Sequence, residues 1–280
     1  MIKSFIEYLE LNTLPKWKLQ VGENSVLEKP GKYKFISEYE KEQFYSNLKT
    51  KQDLLKYYLE NPLEYTLNSD GFRSDEFMDG DEVTLFLGCS DTFGLGLHQE
   101  HTWSYKLHKA LDDGTKYYNL ALPGNDIQTD FRTLYYILKK YKLKVKNIFH
   151  FAAKRVRYEI FIPRENKIEM ISIHTIDKKI QDRLFLNHII DETRLSVHFI
   201  SMVYAINKIA DDLGAKYFVA NFDFIGDLRI KDTQNFNILY DWSLKSLKAR
   251  DLEHPNYFEN HKIFSVFYDM IKEKEKEKFI

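Results

Sequence analysis

A serine follows an apolar stretch of this chain, in the segment GCSDTFGLG that begins at Gly88. Residues 83–87 are mostly apolar and predict a buried strand, so Ser90 is expected just beyond the carboxyl end of that strand. Open α/β sheets bind their ligands at this edge. Since a serine hydroxyl is a weak nucleophile near neutral pH, attack on a carbonyl carbon would require a base close to Ser90.

A candidate base lies far downstream, in the segment RDLEHPN that begins at Arg250. Asp251 and His254 are three positions apart, so one turn of the chain would place the carboxylate against the imidazole. Pro255 favours an extended backbone at His254. His254 would accept the proton of Ser90, and Asp251 would orient the imidazole and stabilise its protonated form. The order Ser, Asp, His therefore predicts a catalytic triad.

Attack on a carbonyl also requires hydrogen-bond donors for the developing oxyanion. The backbone N–H of Ser90 is one candidate. The segment NLALPGND, which begins at Asn119, predicts a second, because Gly124 allows a close approach of the backbone between a strand and a helix. An ordinary strand-to-helix turn is the alternative interpretation of Gly124.

Other residues whose side chains could react or bind a ligand have simpler interpretations. Cys89 is the only cysteine, which excludes a disulfide within the chain, and its place at a strand end predicts a small buried apolar side chain. His98 and His101 lack further ligands at metal-binding spacing, so no metal site is expected. Three arginines either line an anionic pocket or form surface salt bridges: Arg73, Arg155 and Arg157.

The elements that must position these residues alternate between strand and helix. Strands are predicted at residues 83–89, 117–122, 148–153 and 217–220, and helices at 101–111, 127–141, 193–213 and from 257 to the end. Residues 154–190 predict an insertion with isoleucine-rich strands, and residues 224–250 a long loop with a helical piece. This alternation predicts an α/β fold with a parallel sheet covered on both faces.

Composition limits the classes of protein that remain. The 280 residues suffice for one large domain, and 41 basic against 42 acidic side chains leave a net charge of −1, which gives no nucleic-acid footprint. The sequence has no membrane-spanning apolar stretch and no signal-peptide pattern at its start. We expect a soluble cytoplasmic protein without nucleic-acid or membrane partners. Residues 1–80 are predicted to be a mainly helical extension packed on a main domain of residues 81–280.

Three segments resemble the conserved blocks of the SGNH (GDSL-type) hydrolases. GCSDTFG is similar to the first block, NLALPGND to the second and RDLEHPN to the last, and LNSDGFRSDEF resembles a lead-in of bacterial and phage relatives. The resemblance implies a flavodoxin-like three-layer sandwich and hydrolysis of an ester through an acyl-enzyme. Ser90, His254 and Asp251 would then form the triad, and no metal or cofactor would be needed. The expected substrate is a small-molecule or glycan ester, for example an O-acetyl group on a carbohydrate.

The third block of that family departs from the pattern. No asparagine follows the third predicted strand, and Lys154 stands near the position where the family has its oxyanion asparagine. Lys154 and Asn125 are two alternative replacements for the missing donor. A second hypothesis is a binding or structural module, glycan-binding or phage-associated, that keeps the fold without turnover.

Overall fold

The computed structural model describes residues 31–34, 60, 63–153, 157–162, 167–172, 192–221, 236–238 and 257–277. The first strands, β1 (Gly31–Lys34) and β2 (Glu64–Leu67), form a small antiparallel pair. Five strands then build one parallel sheet: β3 (Glu82–Gly88), β4 (Lys116–Asn119), β5 (Lys144–Ala152), β8 (Lys216–Asn221) and β9 (Phe236–Ile238). A hairpin of β6 (Arg157–Ile162) and β7 (Lys167–Ser172) stands outside this sheet.

The strand order in the sheet is β4-β3-β5-β8-β9. Numbered along the chain, these five strands lie in the order 2-1-3-4-5, which is the flavodoxin-like arrangement. The predicted α/β fold with a central parallel sheet is confirmed. The fifth strand, β9, corrects the prediction of only loop and helix at residues 224–250; the sequence signal failed because β9 has three residues.

Helices cover both faces of the sheet. After the single turn α1 (Ser90–Phe93) come α2 (Trp103–Leu111), α3 (Ile127–Lys140), α4 (Glu192–Leu213) and α5 (Tyr257–Glu277). Successive strand residues point to opposite faces. In β3, Leu85 and Leu87 therefore pack with α3 and α4, whereas Phe86 packs with α2 and α5. The described helices and the sheet thus form three layers, and α2, α3 and α4 return the chain so that successive strands stay parallel.

The segment just before β3 belongs to the same packed body. The segment NSDG has the composition typical of a turn, and it forms one that begins at Asn68 and is closed by the N–H of Gly71 on the Asn68 carbonyl at 2.9 Å. Phe72 and Phe77 enter the core beside α3, and the Phe77 ring lies 4.7 Å from that of Tyr118. Residues 63–77 are therefore continuous with the sheet domain. The helices predicted between residues 1 and 60 lie outside the described residues.

Within the described parts of the chain, none of the helices combines the length and the hydropathy needed to cross a bilayer.

Candidate active site

Ser90 follows the carboxyl end of β3, the sheet strand that pairs with β4 on one side and β5 on the other. From β3 the chain first moves outward to β4 and then returns to the opposite side of β3 at β5. Such a reversal of direction leaves a crevice outside the strand ends, where open α/β sheets bind ligands. The predicted strand before Ser90 is confirmed, and topology places this serine at the switch point.

The backbone turns into α1 immediately at Ser90. The Ser90 carbonyl accepts hydrogen bonds from the N–H groups of Gly94 and Leu95, at 2.9 and 3.0 Å. Gly94 ends the turn with a φ of 78°, and a Cβ there would lie 2.1 Å from Cγ2 of Thr102. Only glycine satisfies both the left-handed backbone and the close approach. The Ser90 side chain is buried, with its Oγ 3.9 Å from Sγ of Cys89.

The loop after β4 brings Gly124 to the neighbouring strand end. The N–H of Leu122 donates to the carbonyl of Gly88 at 3.1 Å, two residues before Ser90. Gly124 and the proline before it then form a turn closed by the Asn125 N–H on the Leu122 carbonyl, at 3.2 Å. The φ of 82° at Gly124 is typical of the third residue of a type II turn. The loops that carry Ser90 and Gly124 are therefore neighbours.

Asn119 ties these two loops together, a role that the sequence analysis did not assign. Its Nδ2 donates to the carbonyl of Thr92 in α1 at 3.1 Å, and its Oδ1 accepts from the N–H of Ala121 at 3.0 Å. The side chain is buried. An asparagine amide offers both a donor and an acceptor, which this position requires. The only sequence signal for Asn119 is that it opens the segment NLALPGND.

A buried polar network lies behind the Gly124 turn. Asn125 Nδ2 donates to Asp130 Oδ1 at 2.9 Å, and Asp130 Oδ2 lies 3.0 Å from His150 Nε2. The Nδ1 of His150 lies 2.8 Å from the Tyr217 hydroxyl. Asp130 and His150 are fully buried. Asn125 was predicted as an alternative oxyanion donor; one of its amide hydrogens serves Asp130.

The direction of these hydrogen bonds follows from Asp130, whose carboxylate oxygens only accept, so Nε2 of His150 carries the hydrogen of the bond to Asp130. Burial, together with the nearby Asp130, raises the pKa of the Tyr217 hydroxyl well above its usual value, so the hydroxyl keeps its proton. In the neutral imidazole Nδ1 then accepts from the Tyr217 hydroxyl. No motif links these residues in the sequence, because they come from α3, β5 and β8.

Two of the predicted arginines are described, and both contact backbone carbonyls. Arg73 is 1 % exposed, and its guanidinium donates to the carbonyls of Phe93, Gly94 and Leu97. The prediction of a surface salt bridge or an anionic pocket is therefore wrong for Arg73, because burial separates it from solvent. Arg157 is partly buried and its Nη1 donates to the carbonyl of Asn125 at 3.1 Å.

Cys89 is buried, as predicted for a strand-end cysteine. Burial, and next the charge of Asp91, raise the pKa of the Cys89 thiol to about 11. Since the thiolate is the nucleophilic form, the thiol at this position is unreactive near neutral pH.

The remaining predicted site residues, Asp251, His254 and Lys154, lie outside the described residues, as does Arg155. The rings of His98 and His101 are 6.2 Å apart. Among the described residues, no group of three or more His, Cys, Asp or Glu side chains is arranged to hold a metal ion.

Comparison with known proteins gives matches among solved structures alone. No family model matches the chain, and no curated protein matches it. Among the solved structures, TesA has 14 % sequence identity and a TM-score of 0.40, over 68 % of this chain and 98 % of that chain. The psychrotrophic esterase EstA from Pseudoalteromonas sp., inhibited by monoethylphosphonate, has 15 % identity and a TM-score of 0.41, over 70 % of this chain and 100 % of that chain.

At these values the matches assign neither a substrate nor catalytic residues to this chain. The parallel α/β fold that the SGNH resemblance implies is the fold observed.

Proposed function

We propose that the protein is a serine ester hydrolase of the SGNH type, acting through an acyl-enzyme. Ser90 attacks the acyl carbonyl carbon, His254 takes the hydroxyl proton and later returns it to the leaving alcohol, and Asp251 orients the imidazole. Water then attacks the acyl-enzyme with His254 as base and releases the acid. The observation that carries the proposal is the position of Ser90 at the switch point of the sheet, with the Gly124 turn beside it.

The start of α5 supports the assignment of His254. The N–H of Trp103, at the start of α2, donates to Oδ1 of Asn260 in the first turn of α5, at 3.1 Å. Since α2 follows the loop after Ser90, the first turn of α5 lies at the same edge of the sheet. Residue 254 precedes Tyr257 by three positions, and three extended residues span at most about 11 Å. The proposal requires His254 to lie within this span of the edge.

The backbone N–H groups of Ser90 and Gly124 are the proposed oxyanion donors. The chemistry requires both to converge on one carbonyl oxygen, and the bond from Leu122 to Gly88 brings their two loops together. Lys154 and Asn125 are the alternatives for a third donor. The proposed substrate is an acyl ester, with an O-acetyl group on a carbohydrate as the specific candidate because of the SGNH resemblance.

A fluorophosphonate probe tests the proposal directly. We expect the wild-type protein to be labelled and to hydrolyse p-nitrophenyl acetate, and both activities to be lost in Ser90→Ala and His254→Ala. Activity should rise with pH through the titration of His254, whose ordinary pKa is about 6.5. A wild-type protein that is folded, unlabelled and without turnover would instead favour the binding module.

The third donor is tested by two substitutions. If the Lys154 ammonium stabilises the oxyanion, Lys154→Ala should slow turnover at least roughly tenfold. If Asn125 has this role, Asn125→Ala should do so while Lys154→Ala leaves the rate unchanged. Equal, unchanged rates in both variants would leave the two backbone N–H groups as the oxyanion hole.

A further inference from the structure

The loop that follows the proposed nucleophile is held by a buried guanidinium. Arg73 Nη1 donates to the carbonyl of Phe93 at 3.1 Å and to that of Gly94 at 2.8 Å, and its Nη2 donates to the carbonyl of Leu97 at 2.8 Å. The end of a helical turn leaves carbonyls without intrahelical partners. Arg73 supplies donors to these carbonyls in a place that water cannot reach, since the residue is 1 % exposed.

A single residue, Gly94, links the guanidinium of Arg73 to the backbone of Ser90. Gly94 accepts from Arg73 with its carbonyl and donates with its N–H to the carbonyl of Ser90, at 2.9 Å. The planar, rigid fork of a guanidinium fixes the directions of several acceptors at once, which an ammonium group cannot do. A displacement of the Gly94 carbonyl would therefore reach the Ser90 backbone directly.

Arg73 is itself fixed from the other side. Its guanidinium carbon lies 4.5 Å from the centre of the Tyr65 ring and 5.6 Å from that of Phe93. The Tyr65 hydroxyl accepts from the N–H of Gly96 at 2.8 Å, so the same side chain that stacks on Arg73 also contacts the loop. Among the described residues Arg73 forms no salt bridge within 4 Å, and its guanidinium contacts carbonyl dipoles and aromatic faces.

We propose that Arg73 is a positioning residue for the reaction: it holds residues 93–97 and thereby sets the geometry of Ser90 without touching the substrate. The proposal rests on the proposed ester hydrolysis. It also gives residues 63–77 a role beyond core packing, because Tyr65 and Arg73 both come from this segment.

The test compares Arg73→Met and Arg73→Lys with the wild-type protein and with Val203→Ala, a core substitution in α4. Val203 is fully buried and packs in the opposite helical layer, so its truncation lowers stability without altering the loop. All rates are measured at a temperature at which each variant is fully folded. The measurements are kcat and KM for p-nitrophenyl acetate, the rate of fluorophosphonate labelling, and amide hydrogen exchange across residues 90–97.

We expect Arg73→Met to lower kcat and the labelling rate at least roughly tenfold, with KM changed less than about threefold, and to accelerate exchange at Gly94 and Leu95 at least roughly tenfold. Arg73→Lys should restore the wild-type kcat, labelling rate and exchange rates only in part. Val203→Ala should keep the wild-type kcat and the wild-type exchange rates in the loop. Tyr65→Phe, which removes the hydroxyl and keeps the ring, should give a smaller change of the same sign. It also serves as the test if Arg73→Met does not fold.

Wild-type labelling and wild-type loop exchange in a folded Arg73→Met variant would overturn the inference. So would an equal loss of activity in Val203→Ala, because the effect would then follow global stability. If the wild-type protein is not labelled at all, the proposed function fails, and the exchange data alone decide whether Arg73 holds the loop.

Discussion

The two loops of the candidate site are stabilised by opposite means. On the Ser90 side, the backbone of the loop is what is held: Gly94 adopts a left-handed φ in close contact with Thr102, and the carbonyls at the end of α1 accept from the guanidinium of Arg73. On the Gly124 side, side chains hold one another through a buried chain of hydrogen bonds that runs from Asn125 through Asp130 and His150 to Tyr217.

The difference predicts different sensitivities. A closely packed backbone turn is sensitive to added volume, whereas a buried network of polar side chains is sensitive to the loss of any one member. Asn119 and Cys89 lie where the two sides meet. Four measurements distinguish the two sides.

The largest effect is expected for Asp130→Ala on the Gly124 side. The substitution leaves the His150 Nε2 and the Asn125 amide without their shared acceptor in a fully buried place. The free energy of unfolding should fall by about 2–6 kcal/mol, measured by urea denaturation, because each of the two donors left without an acceptor costs about 1–3 kcal/mol. The matched control is Asp212→Ala, whose exposed pairing with Lys208 should make no measurable difference. A loss below about 1 kcal/mol for Asp130→Ala would show that the network does not stabilise this side.

A steric change should break the Ser90 side. In Gly94→Ala the new methyl group would lie 2.1 Å from Thr102 and 3.2 Å from Nη1 of Arg73. Gly114→Ala is the control, because its φ is also 78° but nothing lies within 4 Å of the added Cβ. The two variants share the left-handed backbone cost of about 1–2 kcal/mol. Gly94→Ala should lose about 1–3 kcal/mol more; equal unfolding free energies would contradict the packing described here.

Removal of a single hydroxyl tests the far end of the network. Tyr217→Phe leaves Nδ1 of His150 without its donor, and we expect a loss of about 1–2 kcal/mol in the free energy of unfolding. Tyr204→Phe is the control, since Tyr204 is 42 % exposed. The ¹⁵N spectrum of His150 should show the Nε2–H form in the wild-type protein and also in Tyr217→Phe, because Asp130 still accepts from Nε2. The opposite tautomer in the wild-type protein would contradict the assigned direction.

The smallest effect concerns Cys89, between the two sides. Its pKa is raised from 9.0 to about 11 in the folded protein, so this thiol stabilises the fold below pH 9 and loses that contribution as pH rises toward 11. Between pH 8 and pH 10 the wild-type protein should lose about 1 kcal/mol more of its unfolding free energy than Cys89→Ala. Identical pH slopes for the two proteins would show that the thiol is not desolvated in this way.

The elements of the site follow from local sequence to a large extent. The strand before Ser90, the glycine-rich segment after it, the turn at Gly124 and the turn at Asn68 are all predicted by short patterns, because apolar runs and glycine positions act within a few residues. The final strand, β9, is too short to give such a pattern. The spacing of Asp251 and His254 remains a prediction.

The partners of these elements could not be predicted in the same way. Arg73 meets carbonyls that lie 20 to 24 positions further along the chain, and His150 meets Tyr217 across 67 positions. The sequence offers no pattern at such distances, and an arginine in a polar segment looks like a surface residue until the fold is known. Only the fold shows that Arg73 is buried and donates to the carbonyls of the loop after Ser90.

By itself, the sequence determined the order of the first four strands of the sheet and of the helices between them, the residue types available at the strand ends and the place of the candidate nucleophile. These are properties of periodicity and of glycine and proline geometry, which depend on near neighbours. Tertiary structure alone decided which strands became adjacent, and thus that the Ser90 and Gly124 loops share one edge, that a cation is enclosed beneath one of them and that an acid–imidazole pair lies beneath the other. Those outcomes depend on packing across the sheet, where contacts between distant residues replace solvent.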